Sequence, residues 1–90
     1  MIRTSFVYVG EKYFGIAYDS CYDVLSISIS EDESIGYDIE DGIVEMRNNK
    51  GETTGYIIED FMENYKDGVC YESKIKLEKK TVDEIFMALN

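Results

Sequence analysis

The segment from Val24 to Ser30 alternates apolar and polar residues along its whole length. Leu25, Ile27 and Ile29 point to one side, and the serines between them point to the other. A period of two is typical of a β-strand that is buried on one face only. We therefore expect antiparallel strands on both sides of this segment and a C-terminal helix that covers part of its apolar face.

A hairpin is predicted at the N-terminus, where the β-rich runs 2–9 and 12–19 flank the dipeptide Gly10-Glu11. A two-residue turn there sets Val7 opposite Phe14 on one face of the hairpin. Apolar residues then occupy both faces, so the hairpin is either enclosed in the fold or exposes an aromatic patch. The aromatic residues on the second face are Phe6, Tyr8 and Tyr13.

A second hairpin is predicted at Asp41-Gly42, because this dipeptide tolerates tight turns between alternating runs. A strand at 35–40 precedes the turn, and a further strand at about 54–58 follows a loop. A two-residue turn sets Asp38 opposite Glu45 on the outer face. The same register places apolar pairs on the core face: Ile39 opposite Val44, and Tyr37 opposite Met46.

Apolar residues in the C-terminal third of the chain follow two different spacings, one helical and one typical of a strand. Apolar residues spaced by three and four predict a helix or helical turn at about 60–66, and alternation predicts a strand over 69–77. Thr81 and Glu84 have the spacing of a capping box, in front of an apolar stripe that predicts a helix over 82–89.

Together these elements predict an α+β fold over 1–90, organised as a single domain. Its main part is an antiparallel β meander of about six strands, in a twisted sheet or half-barrel. A chain of 90 residues buries only about 60–65% of its unfolded surface, so its margin of stability is small. No run approaches the roughly 18 apolar residues of a membrane span, and we expect a cytoplasmic protein.

Charge narrows the choice of partner. Nineteen Asp and Glu residues against nine Lys and Arg give a net charge of −10. The phosphates of nucleic acids and anionic membranes repel such a chain, so we expect neither as a direct partner, and a basic protein surface attracts it. Lysines near the C-terminus are interpreted as protection of an edge strand against aggregation.

The sequence offers little catalytic chemistry. It contains no histidine, the commonest general base, and no glycine-rich phosphate-binding motif. Cys21 and Cys70 lack metal-ligand spacing, and we interpret them as reduced thiols. We therefore expect a protein that is not an enzyme, with no cofactor and no catalytic or metal-ligating residue.

One stretch, positions 31–46, is acidic and contains no basic residue. Its plainest interpretation is a solvated sheet face with polar loops. A divalent-metal site is a weaker interpretation, because the spacing of an EF-hand is missing. The favoured functional interpretation is a surface that docks in a basic groove, with tyrosines as apolar anchors. The candidate partner-binding residues are Glu31, Asp32, Glu33, Tyr37, Asp38, Glu40, Asp41 and Glu45, together with Tyr13 and Tyr22, which lie near turns.

The stretch from Tyr18 to about Asp60 resembles a small bacterial family, domain of unknown function 2283. The matching residues begin with the spacing YDxxxDxLxIxI, from Tyr18 to Ile29, and continue with Asp41-Gly42-Ile43-Val44, Gly51, Gly55, Ile58 and Asp60. The resemblance implies a compact antiparallel meander from a bacterium or its phage, with no catalytic residues to transfer. Some members of that family look like partners of small toxin-like proteins, which makes an antitoxin role one expectation.

Three functional hypotheses follow. The first is a non-enzymatic module that binds a basic protein surface, as an antitoxin or a phage-type inhibitor of a nucleic acid-handling protein. The second is an orphan domain that binds a small molecule or a divalent metal. The third is a homodimer formed through the aromatic face of the N-terminal hairpin.

Overall fold

A computed structural model describes residues 2–90 as an open six-stranded antiparallel sheet with helices packed against it. This confirms the predicted α+β fold with its short helix and its C-terminal helix. No helix in this part of the chain is both long and apolar enough to cross a membrane. The strands are β1 (Ile2–Val9), β2 (Lys12–Asp19), β3 (Val24–Ser28), β4 (Ile35–Glu40), β5 (Ile43–Arg47) and β6 (Thr53–Glu59). The helices are α1 (Phe61–Lys66) and α2 (Lys79–Leu89), with a single 3₁₀ turn at Tyr71–Ser73 between them.

The strand order is β1-β2-β3-β6-β5-β4. The strand from Val24 does pair on both sides, with β2 and with β6, as its alternation predicts. A simple meander is wrong, however, because β6 takes the place beside β3 and leaves β4 at the far edge. Gly55 permits this close approach, since a Cβ there would lie 2.3 Å from the carbonyl oxygen of Ile27.

The N-terminal hairpin has the predicted register, with Val7 opposite Phe14. Gly10 takes a positive φ of 64° at the first turn position, which suits a two-residue hairpin loop. Val7 and Phe14 are buried, whereas the aromatic residues of the other face are exposed. The hairpin therefore presents an aromatic patch, which we define as Phe6, Tyr8 and Tyr13.

The second hairpin departs from its predicted register. Glu40 pairs with Ile43 across the turn, but Asp38 then pairs with Val44 and Tyr37 with Glu45. The bulge at Ile39 adds one residue to β4, and a slip of one residue moves each side chain beyond it to the opposite face. The predicted pairs of Ile39 with Val44, of Tyr37 with Met46 and of Asp38 with Glu45 are therefore wrong. On β5, Ile43 and Glu45 face the core, in place of the predicted Val44 and Met46.

The predicted strand over 69–77 is also wrong. The segment forms a turn of 3₁₀ helix in which the backbone N–H groups of Lys74 and Ile75 both donate to the Tyr71 carbonyl. Tyr71 and Ile75 are four residues apart and both buried, so one helical turn buries them together. The lysines nearby consequently do not protect an edge strand. The sheet already ends at β1 and β4.

Helix α2 begins earlier than predicted. Its first residue is Lys79, Glu78 is the N-cap, and no side chain caps it. The predicted capping box is wrong because Thr81 lies inside the first turn and is buried. The predicted apolar stripe does pack in the core, through Val82, Ile85 and Leu89.

The core lies between the helices and one face of the sheet, which we call the inner face. The buried strand residues alternate with exposed or half-buried ones, as expected for a sheet covered on one side. Ile29 continues the alternation but lies beyond the end of β3 and remains 38% exposed. The residues of the inner face include Phe14, Ile16, Leu25, Ile27, Ile43, Tyr56 and Ile58, packed against Phe61 and Ile85.

Candidate functional site

The acidic run of the sequence is divided between the two ends of the sheet. Strand β4 runs from one end to the other, so the loop before it and the turn after it lie about 17 Å apart. The loop residues lie beside the β5–β6 connection, where the Asn48 side-chain amide donates to Asp32 at 3.2 Å. We call this side the loop end; it holds Glu31, Asp32 and Glu33. Asp41 lies at the opposite end.

Glu45, predicted on the outer face, is buried on the inner face and only 2% exposed. Its carboxylate accepts hydrogen bonds from the Arg47 guanidinium and, at 3.2 Å, from the Tyr56 hydroxyl. The Tyr56 hydroxyl in turn accepts from the backbone N–H of Lys76 at 2.8 Å. Glu45 therefore ties the sheet to the segment before α2 and is not available to a partner.

Electrostatics agree with this structural role. Burial would raise the pKa of Glu45, but the hydrogen bonds from Arg47 and Tyr56 outweigh it and hold that pKa below its ordinary value. The Arg47 guanidinium also lies 4.6 Å from the ring centre of Tyr37. Tyr37 is 44% exposed, so part of this predicted anchor contacts Arg47 and the rest is accessible to solvent.

The other predicted acids of the hairpin remain on the surface. The Glu40 carboxylate accepts from the Lys74 ammonium at 2.6 Å, in a partly exposed ion pair. The side chains of Asp38 and Asp41 make no hydrogen bond or ion pair with residues 2–90 and are exposed. Both lie beside Glu59, in a shallow depression around Gly42. These acids are therefore accessible to a partner.

Strand pairing brings more carboxylates to the Asp41 side than the sequence run contains. Asp19 pairs with Val24, and Val24 with Glu59, so the ends of β2, β3 and β6 coincide. The backbone N–H of Glu59 donates to the carbonyl of Gly42 at 2.8 Å, which aligns the β4–β5 turn with them. We call this side of the sheet the acidic end. It comprises Asp19, Asp23, Asp38, Glu40, Asp41, Glu59, Asp60 and Glu63.

Asp23 organises the acidic end. Its carboxylate accepts from the Tyr18 hydroxyl at 2.7 Å and from the backbone N–H groups of Met62 and Glu63 at 2.9 and 3.1 Å. These bonds satisfy the first turn of α1, which has no cap from its own N-cap residue Asp60. Asp23 thereby fixes α1 to the ends of the strands.

The same hydrogen bonds explain the pKa values of Asp23 and Tyr18. Burial would raise the pKa of Asp23, but hydrogen bonds from Tyr18, Met62 and Glu63, with the nearby Lys66 ammonium, lower it. Burial and the Asp23 carboxylate raise the pKa of Tyr18 to about 12. Asp23 is therefore ionised at neutral pH, and Tyr18 remains a hydrogen-bond donor.

Within residues 2–90, a single group of carboxylates is close enough to share a cation: Asp23, Asp60 and Glu63, whose oxygen atoms lie within 4.8 Å of one another. Oxygen ligands of this kind suit Ca²⁺ or Mg²⁺. The hydrogen bonds to Asp23 already explain its position as the cap of α1. The arrangement concentrates negative charge at the start of α1 without requiring an ion.

The three tyrosines predicted to bind a partner also lie on different parts of the sheet. Tyr22 lies in the β2–β3 turn at the acidic end and is 76% exposed. Tyr13 lies in the aromatic patch on β2. Four strand spacings, or about 19 Å, separate β2 from β4, which carries Tyr37. Only Tyr22 joins the acids of the acidic end as an exposed aromatic residue.

Sequence reasoning missed Asp19, Asp23, Glu59, Asp60 and Glu63 as members of one cluster. The available signal was that each lies next to a strand end, since antiparallel neighbours bring alternate ends together. Recognising which strand ends meet requires the strand order, and the predicted meander has a different order from the observed sheet.

Comparisons of the chain with protein-family models, curated proteins and solved structures find no match. The resemblance to domain of unknown function 2283 therefore stays a prediction.

Proposed function

We propose that the chain is a non-enzymatic protein-binding module whose acidic end docks on a basic surface of another protein. The observation that carries the proposal is the convergence of four strand ends and the start of α1, which gathers acids from distant parts of the sequence. Three basic residues among residues 2–90 lie close to these acids: Lys66, near Asp23; Lys74, paired with Glu40; and Arg3, opposite Tyr18. The net charge there is strongly negative, and such a field attracts and orients a basic partner.

The proposal is also supported by carboxylates of the acidic end that are exposed and unpaired within the fold. Asp41, Glu59 and Asp60 make no side-chain hydrogen bond or ion pair with residues 2–90, and all three are exposed. Their charges therefore remain unneutralised by the fold. Tyr22, on the same end, supplies an exposed aromatic ring of the kind that anchors interfaces.

The chemistry of the partner follows from the charge. A groove that normally holds a nucleic acid backbone is lined with lysine and arginine, and acidic side chains occupy it as phosphates do. A toxin-like protein and an enzyme acting on nucleic acid both carry such grooves, so the antitoxin and the phage-type inhibitor are two forms of this proposal. Both interactions take place in the cytoplasm.

The test reverses charge at the acidic end. A variant with Asp38→Lys, Asp41→Lys and Glu59→Lys changes exposed residues only. Its matched control carries Glu31→Lys, Asp32→Lys and Glu33→Lys at the loop end, so both variants have the same total charge. A partner is first captured from a lysate of the source organism with the wild-type chain, purified, and then titrated against all three proteins.

We expect the acidic-end variant to bind the purified partner at least about tenfold more weakly, and the loop-end control to stay within about threefold of wild type. Wild-type binding should weaken as salt is raised from about 50 to 500 mM, because salt screens exposed charges. Equal losses in both variants would show that net charge alone attracts the partner. Unchanged binding by the acidic-end variant would refute the docking site.

A further inference from the structure

The two edges of the open sheet differ in their protection against pairing with another strand. Edge strands expose unpaired backbone N–H and C=O groups, and proteins shield them with bulges, charges or short length. The sheet ends at β1 on one side and β4 on the other. Only one of these edges is shielded.

Strand β4 has all three kinds of protection. It is six residues long and carries the bulge at Ile39. Two acidic residues, Asp38 and Glu40, lie on it, and a second copy of β4 would place like charges face to face. This edge resists self-pairing.

Strand β1 lacks the bulge, the shorter length and the acidic residues. It is eight residues long and pairs with β2 without interruption from Ile2 to Val9. Arg3 is its only charged residue, and its guanidinium donates to the backbone carbonyl of Leu89 on the inner face. Residues 2–6 are all exposed, and every second residue of an edge strand turns its backbone N–H and C=O outward.

The aromatic patch lies along the same edge. Phe6 and Tyr8 are 63% and 69% exposed, and Tyr13 is 60% exposed. The rings of Phe6 and Tyr8 each lie 5.9 Å from the ring of Tyr13, which holds the three rings together. At about 150–250 Å² per ring, they leave about 300–500 Å² of aromatic surface in water. Phe6 and Tyr8 lie on the edge strand itself, where aromatic residues of two paired strands contact each other and stabilise the pairing.

We propose that β1 pairs antiparallel with β1 of a second copy, which joins two sheets into one and brings the Phe6 and Tyr8 rings of the two copies side by side. An antiparallel strand pair is self-complementary under a two-fold axis, so one surface serves both partners. Charge favours this edge over other surfaces, because a chain of net charge −10 repels its copy except where acids are absent. The proposal does not depend on the function of the acidic end.

The test measures association by sedimentation velocity from about 1 to 200 µM. Phe6→Glu places an acid on the unprotected edge. Ile35→Glu is the matched control, since Ile35 is 67% exposed on the opposite edge strand and the charge change is the same. We expect a wild-type dimer, an unchanged dimer for Ile35→Glu, and a dissociation constant at least about tenfold higher for Phe6→Glu.

A second measurement needs no variant. Hydrogen exchange of the wild-type chain should slow for β1 amides as concentration rises, while β4 amides exchange at a constant rate. A wild-type monomer at about 200 µM overturns the proposal and leaves the edge open to a strand from another protein. Equal dissociation by both variants, or concentration-dependent protection of β4 instead of β1, also overturns it.

Discussion

Glu45 and Asp41 belong to the same short hairpin, four residues apart, and have opposite roles. Glu45 is 2% exposed and accepts hydrogen bonds from Arg47 and Tyr56. Asp41 is exposed, and its side chain has no hydrogen bond or ion pair within residues 2–90. Carboxylates therefore serve two purposes in this fold. The buried Glu45 stabilises the interior through its hydrogen bonds, and the exposed acids of the acidic end produce a negative potential outside the protein.

The difference shows that the density of acidic residues in a sequence does not locate an acidic surface. The register of β5 against β6 sets Glu45 opposite the buried Tyr56 and so sends it inward, and the strand order brings Glu59 to Asp41. Asp23 combines both roles, because it caps α1 while lying within the cluster of the acidic end. Three substitution and titration experiments test this division.

The largest effect is expected for the buried acid. Glu45→Gln removes the ionic partner of Arg47 and weakens the bond to Tyr56, so the free energy of unfolding should fall by about 2 kcal/mol. The exposed Asp38→Asn on the facing strand should change it by no more than about 0.5 kcal/mol. Urea unfolding measures both, and equal values would contradict the assignment of Glu45 to the interior.

An intermediate effect is expected at the cap of α1. Asp23→Asn retains a residue that tolerates the positive φ of 55° but removes the charge and one acceptor oxygen. The free energy of unfolding should fall by about 1 kcal/mol, as for other lost helix caps. Asp41→Asn, a neighbour without internal bonds, is the control. A loss of the same size in the control would mean that Asp23 contributes only charge.

The smallest effect is expected in the acid dependence of stability. The pKa values of Asp23 and Glu45 are lowered in the folded state, so each carboxylate stabilises the fold above its unfolded pKa of about 4. That contribution is lost as the pH falls through the folded-state pKa. Stability measured between about pH 5 and pH 2 should therefore fall less steeply in Asp23→Asn and in Glu45→Gln than in wild type. Identical slopes would show that neither carboxylate is the acid-sensitive group.

The candidate site was predictable only in part. Asp38, Glu40 and Asp41 were named from the charge run and do lie on the surface together. Glu45 was misplaced because the alternation of β5 allows either Val44 and Met46 or Ile43 and Glu45 to face the core, and only the pairing with β6 decides between them. The loop-end acids were grouped with Asp41 by closeness in sequence, although β4 carries the chain across the sheet between them.

The sequence by itself determined the local elements: the alternation of β1 to β6, the glycine turns, the short helix after Asp60 and the apolar stripe of α2. These depend on neighbouring residues, whose spacing directly sets which side chains share a face. The tertiary structure alone decided the strand order, the bulged register and the segment before α2, because each depends on contacts between distant segments. It therefore also decided which carboxylates are buried, which are gathered at one end and which edge of the sheet is left unprotected.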